Sequence, residues 1–257
     1  MTVELGFAEQ GAGDPPLLLL HAFPLSSAMW RDVLPALAEG RRVIAPDLRG
    51  FGSSPLGDDP PSLSRSAEDV VALLDRLGIE RAAAAGLSMG GYVALRLLDG
   101  HRERIAALVL ADTKATADPP AAAANRERIA ANVISDPDVV RRDVLPPLLG
   151  DSTRADRPDV VSWLDEIAGA AAPETVAWAQ RAMAARPDSL GVLATTPVPV
   201  LLVRGAEDPL STATDVAAMA GAVPEAEIVT VAGSGHLTAM ETPAEFIGAL
   251  TPFLDTL

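Results

Sequence analysis

One pentapeptide in this chain combines a nucleophilic side chain with glycines at the positions that would expose it. Residues 86–90 read Gly-Leu-Ser-Met-Gly, which matches the pattern G-x-S-x-G with Ser88 at its centre. A serine hydroxyl reacts poorly at neutral pH unless a neighbouring base accepts its proton and hydrogen-bond donors stabilise the developing oxyanion. The motif therefore predicts that Ser88 is a catalytic nucleophile, and the base and the oxyanion site must be sought elsewhere in the chain.

Only three histidines are available as the base, and their surroundings differ. His101 stands among charged residues, which favours a solvated surface position. His21 ends an apolar run and precedes Ala-Phe-Pro, and we expect its ring to brace this loop by hydrogen bonding. His236 closes the sequence Gly-Ser-Gly-His after the last strand candidate. Because a flexible loop there can bring an imidazole back over the sheet edge, His236 is the predicted general base.

The acid that would orient the histidine has two candidates. Asp112 and Asp208 each follow an apolar strand candidate, and either side chain could face the imidazole. We choose Asp208, because it follows a glycine turn and gives the chain order serine, acid, histidine that accompanies the G-x-S-x-G motif. Its neighbour Glu207 is expected to be a solvated charge.

Other motifs that carry chemistry are absent or incomplete. The chain has no cysteine, so disulfides, thiolate catalysis and cysteine-ligated metals are excluded. It contains no P-loop and no H-E-x-x-H, and its G-x-G fragments lack the later glycine of a dinucleotide fingerprint. We therefore expect no cofactor and no metal site.

Short apolar runs of strand length alternate along the chain with longer segments whose apolar residues recur at helical spacing. This alternation is typical of a mostly parallel sheet covered by helices, and these elements must position the candidate residues. The strand candidates span residues 3–7, 17–20, 42–45, 82–87, 105–111, 200–204 and 227–231. Helices are predicted over residues 64–77, after the G-x-S-x-G turn, and from Thr242 to about residue 254. Thr242, Pro243 and Glu245 indicate a capping box at the start of this last helix.

The alternation stops between residues 115 and 192, where prolines divide short helical segments and no strand is indicated. We expect a core in two parts, residues 1–114 and 193–257, interrupted by a helical cap at 115–192. Large apolar residues of this cap, Trp163, Trp178 and Met183, are candidates for lining a pocket. For each of them, helical spacing favours packing in the core.

The whole chain resembles the α/β-hydrolase superfamily in its form with a helical cap. The segments that carry the resemblance are His-Ala-Phe-Pro at 21–24, residues 47–54, residues 86–91, Gly-Ala-Glu-Asp at 205–208 and Gly-Ser-Gly-His at 233–236. Among serine members the chain is similar to 3-oxoadipate enol-lactonases, small bacterial carboxylesterases and cofactor-free perhydrolases. Ser88 disfavours the dehalogenases and epoxide hydrolases of this fold, which use an aspartate nucleophile.

The resemblance implies a serine hydrolase that cleaves a carboxylic ester or lactone of a small molecule through an acyl-enzyme on Ser88. The oxyanion hole is then formed by the backbone N–H groups of Phe23 and Met89. Ala22 stands where many relatives have glycine. A perhydrolase, a thioesterase and a non-catalytic small-ligand receptor on the same fold remain alternatives.

The net charge and the hydropathy of the chain indicate which kinds of molecule the protein binds. The formal net charge of −15 repels nucleic acid and anionic membranes at long range. No apolar run approaches the roughly 18 residues needed to span a bilayer, and the first ten residues lack the pattern of a signal peptide. We expect a soluble, cytoplasmic protein that binds a small molecule and neither nucleic acid nor membrane, and the oligomeric state stays open.

Overall fold

Four consecutive leucines form a fully buried strand of a seven-stranded sheet in the computed structural model, which describes residues 1–257. The strands are β1 (Phe7–Gln10), β2 (Leu17–Leu20), β3 (Val43–Pro46), β4 (Ala82–Leu87), β5 (Ile105–Ala111), β6 (Val200–Gly205) and β7 (Glu227–Val231). Their order across the sheet is β1-β3-β2-β4-β5-β6-β7, and only the β1–β3 pair is antiparallel. Helices flank the sheet, so the predicted mostly parallel sheet covered by helices is confirmed.

The helices differ in length from one turn to nearly four turns. The α-helices are α1 (Leu34–Leu37), α2 (Leu63–Arg76), α3 (Met89–Gly100), α4 (Pro120–Asn132), α5 (Asp151–Asp156), α6 (Pro158–Gly169), α7 (Pro173–Ala184), α8 (Leu190–Ala194), α9 (Ala213–Ala222), α10 (Thr238–Glu241) and α11 (Pro243–Leu254). Short 3₁₀-helices span Ser27–Trp30, Arg102–Arg104 and Pro146–Leu148, and a π-helical turn spans Val140–Val144. No helix combines the length and the apolar character needed to cross a membrane.

The strand predicted over residues 3–7 is wrong, because the first strand begins at Phe7. The N–H of Val3 donates to the carboxylate of Asp69 at 2.8 Å, and Leu5 is buried in the core. The apolar residues of this segment therefore anchor the chain by packing and by a side-chain hydrogen bond, while the ladder to β3 is made by the more polar β1. The third strand lies one residue later than predicted.

The last helix starts where the sequence predicts, with Pro243 at its first position, but the capping box does not form. The Thr242 hydroxyl donates to the carbonyl of Thr238 at 3.3 Å. The backbone N–H of Thr242 also donates to that carbonyl, because Thr242 ends α10 as well as preceding α11. Because its hydroxyl is bonded to the preceding helix α10, Thr242 does not cap the helix α11 that follows it.

The topology brings the candidate residues to one edge of the sheet. Strands β2, β4, β5, β6 and β7 run parallel, so their carboxyl ends lie together. The loops that follow these ends carry His21, Ser88, Asp112, Asp208 and His236. Between β5 and β6 the chain makes five α-helices and no strand, and this helical segment contributes to the cavity above the same edge.

Candidate active site

Ser88 occupies a strained turn between β4 and α3. Its φ is 54° and its ψ is −113°, a conformation that non-glycine residues rarely adopt. Backbone hydrogen bonds of Ser88 hold the turn in place. Its N–H donates to the carbonyl of Ala111 at 2.9 Å, and its own carbonyl accepts from the Thr113 hydroxyl at 2.8 Å and from the N–H groups of Gly91 and Tyr92 at 2.9 and 3.3 Å. The surrounding structure therefore imposes the strain and presents the hydroxyl to the cavity.

The glycines of the motif are required by the close approach of the backbones around this turn. A β-carbon on Gly90 would lie 1.9 Å from the carbonyl oxygen of Leu20 in β2. A β-carbon on Gly86 would lie 2.3 Å from the carbonyl oxygen of Gly90. No side chain fits at either position, so helix α3 packs against the strands only because both residues lack one.

The structure brings Ser88, His236 and Asp208 into one chain of hydrogen bonds. Nε2 of His236 lies 2.7 Å from the Ser88 hydroxyl oxygen, and Nδ1 lies 2.8 Å from Oδ2 of Asp208. The other carboxylate oxygen of Asp208 accepts from the N–H groups of Leu210 at 2.7 Å and Ser211 at 3.1 Å. Because the carboxylate accepts from Nδ1–H, the lone pair of Nε2 is left to accept the serine proton.

Burial and neighbouring charges shift the pKa of the His236 imidazole in opposite directions. Burial lowers the pKa of His236, but the negative charge and hydrogen bond of Asp208, together with the charges of Asp112 and Glu241, outweigh it and raise the pKa above the usual 6.5. The site thus favours the imidazolium that forms when a serine proton is transferred.

Asp112, the alternative acid, lies in the same region but does not contact the imidazole through a hydrogen bond. Its carboxylate accepts from the N–H of Gly205 at 2.8 Å and from both the N–H and the hydroxyl of Thr238. Complete burial and the nearby charge of Asp208 raise the pKa of Asp112 to about 7. Asp112 therefore ties the end of β6 to the histidine loop, while Asp208 orients the ring.

His21 is buried and braces the loop that follows β2, as the sequence suggested. Its Nδ1 lies 2.9 Å from the carbonyl of Ala22, and its Nε2 accepts from the N–H of Leu48 at 2.9 Å. Burial lowers the pKa of His21 to about 4, so the ring is neutral at physiological pH. The loop it braces carries Phe23, whose N–H donates to no group in the protein. Met89 opens α3, where the first N–H groups of a helix lack intrahelical acceptors.

A cavity of about 220 Å³ lies over Ser88 and His236. Its apolar wall includes Phe23, Leu148, Met183 and Leu210. Its polar part is formed mainly by residues that lie after β5 and on the helical segment between β5 and β6. No group of three or more histidine, aspartate or glutamate side chains is arranged to hold a metal ion.

Two of the three large apolar candidates do not line this cavity. Trp163 packs beneath the guanidinium of Arg31, with 3.9 Å between the charge and the ring centre. The indole N–H of Trp178 donates to the carbonyl of Asp59 at 2.9 Å. Met183 lines the cavity. All three side chains pack in the hydrophobic core, as expected, and Met183 in addition borders the cavity.

Two glutamates connect the loops around His236 to the helical segment, and no sequence motif indicates either role. Glu207, expected to be a solvated charge, is partly exposed and also accepts from the N–H of Ser152 at 2.9 Å and from its hydroxyl at 2.5 Å. Glu241 is buried and accepts from Gly150, Thr153 and Leu237. Only the pairing of distant segments in space reveals these contacts, because neither glutamate belongs to a recognisable motif.

The chain matches a known protein family over most of its length. The family model described as alpha/beta hydrolase fold matches residues 15–243. The chain belongs to the α/β-hydrolase family. Over 255 residues this α/β-hydrolase is 32% identical to the dihydrolipoyllysine-residue acetyltransferase component of the acetoin cleaving system of Pseudomonas putida. That match covers 95% of the chain and 64% of the relative, so the chain spans less than two thirds of the relative's length.

Solved structures of similar proteins cover nearly the entire α/β-hydrolase chain. A thermophilic esterase from Thermogutta terrifontis has a TM-score of 0.95 and 37% identity, covering 99% of this chain and 94% of the esterase. The enol-lactonase from Burkholderia xenovorans LB400 has a TM-score of 0.90 and 26% identity, covering 98% of this chain and 97% of the lactonase. One of these neighbours is named as an esterase and the other as an enol-lactonase.

Proposed function

We propose that the protein hydrolyses a carboxylic ester or lactone of a small molecule through an acyl-enzyme on Ser88. The observation that carries the proposal is the continuous hydrogen-bond chain from the Ser88 hydroxyl through His236 to Asp208, with distances of 2.7 and 2.8 Å. This arrangement supplies a nucleophile, a base and an orienting acid in the order that acyl transfer needs. The similarity to an esterase and an enol-lactonase agrees with that chemistry.

In the first step, the Ser88 oxygen attacks the carbonyl carbon while Nε2 of His236 takes the hydroxyl proton. The carbonyl π electrons move onto oxygen, and that oxyanion accepts hydrogen bonds from the N–H groups of Phe23 and Met89. The tetrahedral intermediate then expels the alkoxide, which takes the proton from His236. Asp208 stabilises the imidazolium throughout, without taking the proton itself.

In the second step, a water molecule attacks the acyl-enzyme and His236 accepts its proton. The same two N–H groups hold the new oxyanion, and collapse of the intermediate breaks the bond to Ser88, whose oxygen recovers the proton from His236. A lactone follows the same steps, except that its alcohol stays attached to the released acid. No oxidant, metal or cofactor enters this balance.

We further propose that residues 115–192 act as a cap that selects the substrate. Support comes from the cavity wall, which the helical segment shares with the loops of the sheet edge through residues such as Leu148 and Met183. The contacts of Glu207 with Ser152 and of Glu241 with Thr153 fix this segment to the histidine region. A small cavity formed between the two parts suits a small acyl or lactone group.

The test is covalent labelling combined with turnover. We expect a fluorophosphonate to label the protein at Ser88, as located by mass spectrometry, and to stop hydrolysis of p-nitrophenyl esters and lactones. Ser88→Ala is the matched control and should neither be labelled nor turn over substrate. An adduct on another residue, or ester binding without turnover by the unmodified protein, would reject the proposal and favour a receptor.

A further inference from the structure

Lys114 is the only lysine in the chain, and it lines the cavity that contains Ser88. It follows β5 by three residues, directly after Thr113, whose hydroxyl bonds to the carbonyl of Ser88. The position of its backbone is therefore fixed relative to the nucleophile. Lys114 as a whole residue is half-buried.

The ammonium of Lys114 has no partner in the protein. Each of the nineteen arginines forms an ion pair or a hydrogen bond, and the N-terminal amine pairs with Asp59. Lys114 makes neither an ion pair nor a hydrogen bond. Three arginines, Arg81, Arg102 and Arg204, bond only to neutral oxygens, so Lys114 is the one side-chain cation that has neither an ion pair nor a hydrogen bond.

The carboxylates that share the cavity with Lys114 are already neutralised. Asp118 pairs with Arg126 at 2.5 Å and with Arg186 at 2.7 Å. Burial acts to raise the pKa of Asp118, but the two guanidinium groups outweigh it and lower the pKa, so the group is ionised and paired.

Asp143 is the second carboxylate of the cavity wall, and it also faces two cations. Arg128 lies 2.8 Å from it and Arg142 lies 3.3 Å from it. Neither aspartate is left to balance the charge of Lys114. The cavity beside Ser88 therefore contains an ammonium group that no carboxylate of the protein pairs with, next to Arg126, which shares the carboxylate of Asp118 with Arg186.

We propose that the substrate of the Ser88 site carries a carboxylate that pairs with Lys114. An unpaired ammonium in the wall of the cavity attracts an anion, and Lys114 would orient the substrate as well as attract it. The small cavity favours a short carboxylate over a phosphate ester with several oxygens to satisfy. This inference rests on the proposed ester or lactone hydrolysis and names the substrate class within it.

The test compares substrates that differ only in charge. Monomethyl succinate, glutarate and adipate are each paired with the isosteric half-amide methyl ester, and methanol release is followed by NMR. At one chain length we expect kcat/KM for the acid to exceed that for the amide by roughly tenfold or more. In Lys114→Met this ratio should fall by roughly tenfold, chiefly through KM, and Lys114→Arg should recover most of it.

A matched control separates a local contact from the effect of net charge. Arg65→Met removes one positive charge from an exposed side chain on α2, away from the cavity, and should leave the ratio of acid to amide unchanged. Circular dichroism and thermal melting confirm that Lys114→Met is folded. An acid-to-amide ratio near one in the wild type, or one that Lys114→Met does not change, would overturn the inference while leaving ester hydrolysis intact.

A binding measurement keeps the inference testable if no ester is hydrolysed. Calorimetry with Ser88→Ala should show binding of the preferred half-ester acid and weaker binding of its amide. The double variant Ser88→Ala, Lys114→Met should lose this difference. Equal binding of acid and amide by Ser88→Ala would reject the carboxylate subsite, whereas absence of turnover with a charge-dependent difference in binding would reject only the proposed hydrolysis.

Discussion

The carboxylate of Asp112 accepts two hydrogen bonds from Thr238, one from its N–H at 3.1 Å and one from its hydroxyl at 2.6 Å. Thr238 lies two residues beyond His236, and Asp112 also accepts from Gly205 at the end of β6. Two buried aspartates thus serve the histidine differently. Asp208 contacts the ring, whereas Asp112 holds the loop that carries the ring.

This division predicts unequal effects of two matched substitutions. Asp208→Asn should lower kcat by about 10⁴, because an amide can no longer hold the imidazole in the required tautomer. Asp112→Asn should cost much less kcat but should reduce stability, because an amide nitrogen would face an N–H or hydroxyl donor. Ester turnover and thermal melting measure the two effects. The reverse ranking of kcat would assign the orienting role to Asp112.

The pH dependence should follow the raised pKa of His236. Since imidazolium cannot accept the serine proton and its pKa lies above 6.5, kcat/KM should rise with pH through a midpoint above 6.5. NMR titration provides a direct measurement, with His21 as an internal control that stays neutral down to about pH 4. Asp208→Asn should lower the His236 midpoint, because it removes a charge that favours the imidazolium. A wild-type midpoint at or below 6.5 contradicts this prediction.

The two buried histidines should respond differently to removal. His236→Ala should lower turnover by on the order of 10⁴-fold or more, because it removes the only base next to Ser88. His21→Ala should retain measurable turnover but lose stability, because leaving the N–H of Leu48 unpaired costs about 1–3 kcal/mol. His101→Ala, on the surface, is the control for both. Equal loss of activity in the His21 and His236 variants would give His21 a role in catalysis.

The helical segment offers a matched pair for separating selectivity from packing. Met183→Ala enlarges the cavity wall and should shift the preferred acyl length of p-nitrophenyl esters toward longer chains. Trp163→Ala should leave this preference unchanged while destabilising the fold by about 3–5 kcal/mol. Chain-length profiles and thermal melting are measured for both variants. A shift in preference in the Trp163 variant would place that residue in substrate selection.

Much of the core was predictable because its elements are locally encoded. The apolar runs at β4 and β5 have the observed bounds, since a strand buried on both faces needs a continuous apolar sequence. The motif around Ser88 was also readable, because close backbone packing tolerates only glycine at positions 86 and 90. The first strand was misplaced, because its pairing with β3 depends on a neighbour distant in sequence.

The sequence by itself determined the fold class and the identities of Ser88, His236 and Asp208 as candidates, because glycine turns after apolar strands leave a local signature. Only the tertiary structure decided that Asp208 contacts the imidazole while Asp112 binds Thr238, that Met183 and not Trp163 borders the cavity, and that Lys114 lacks a partner. Each of these features depends on which groups from distant parts of the sequence come into contact. Local periodicity cannot answer them, because the direction of a side chain across the sheet edge depends on every loop that packs around it.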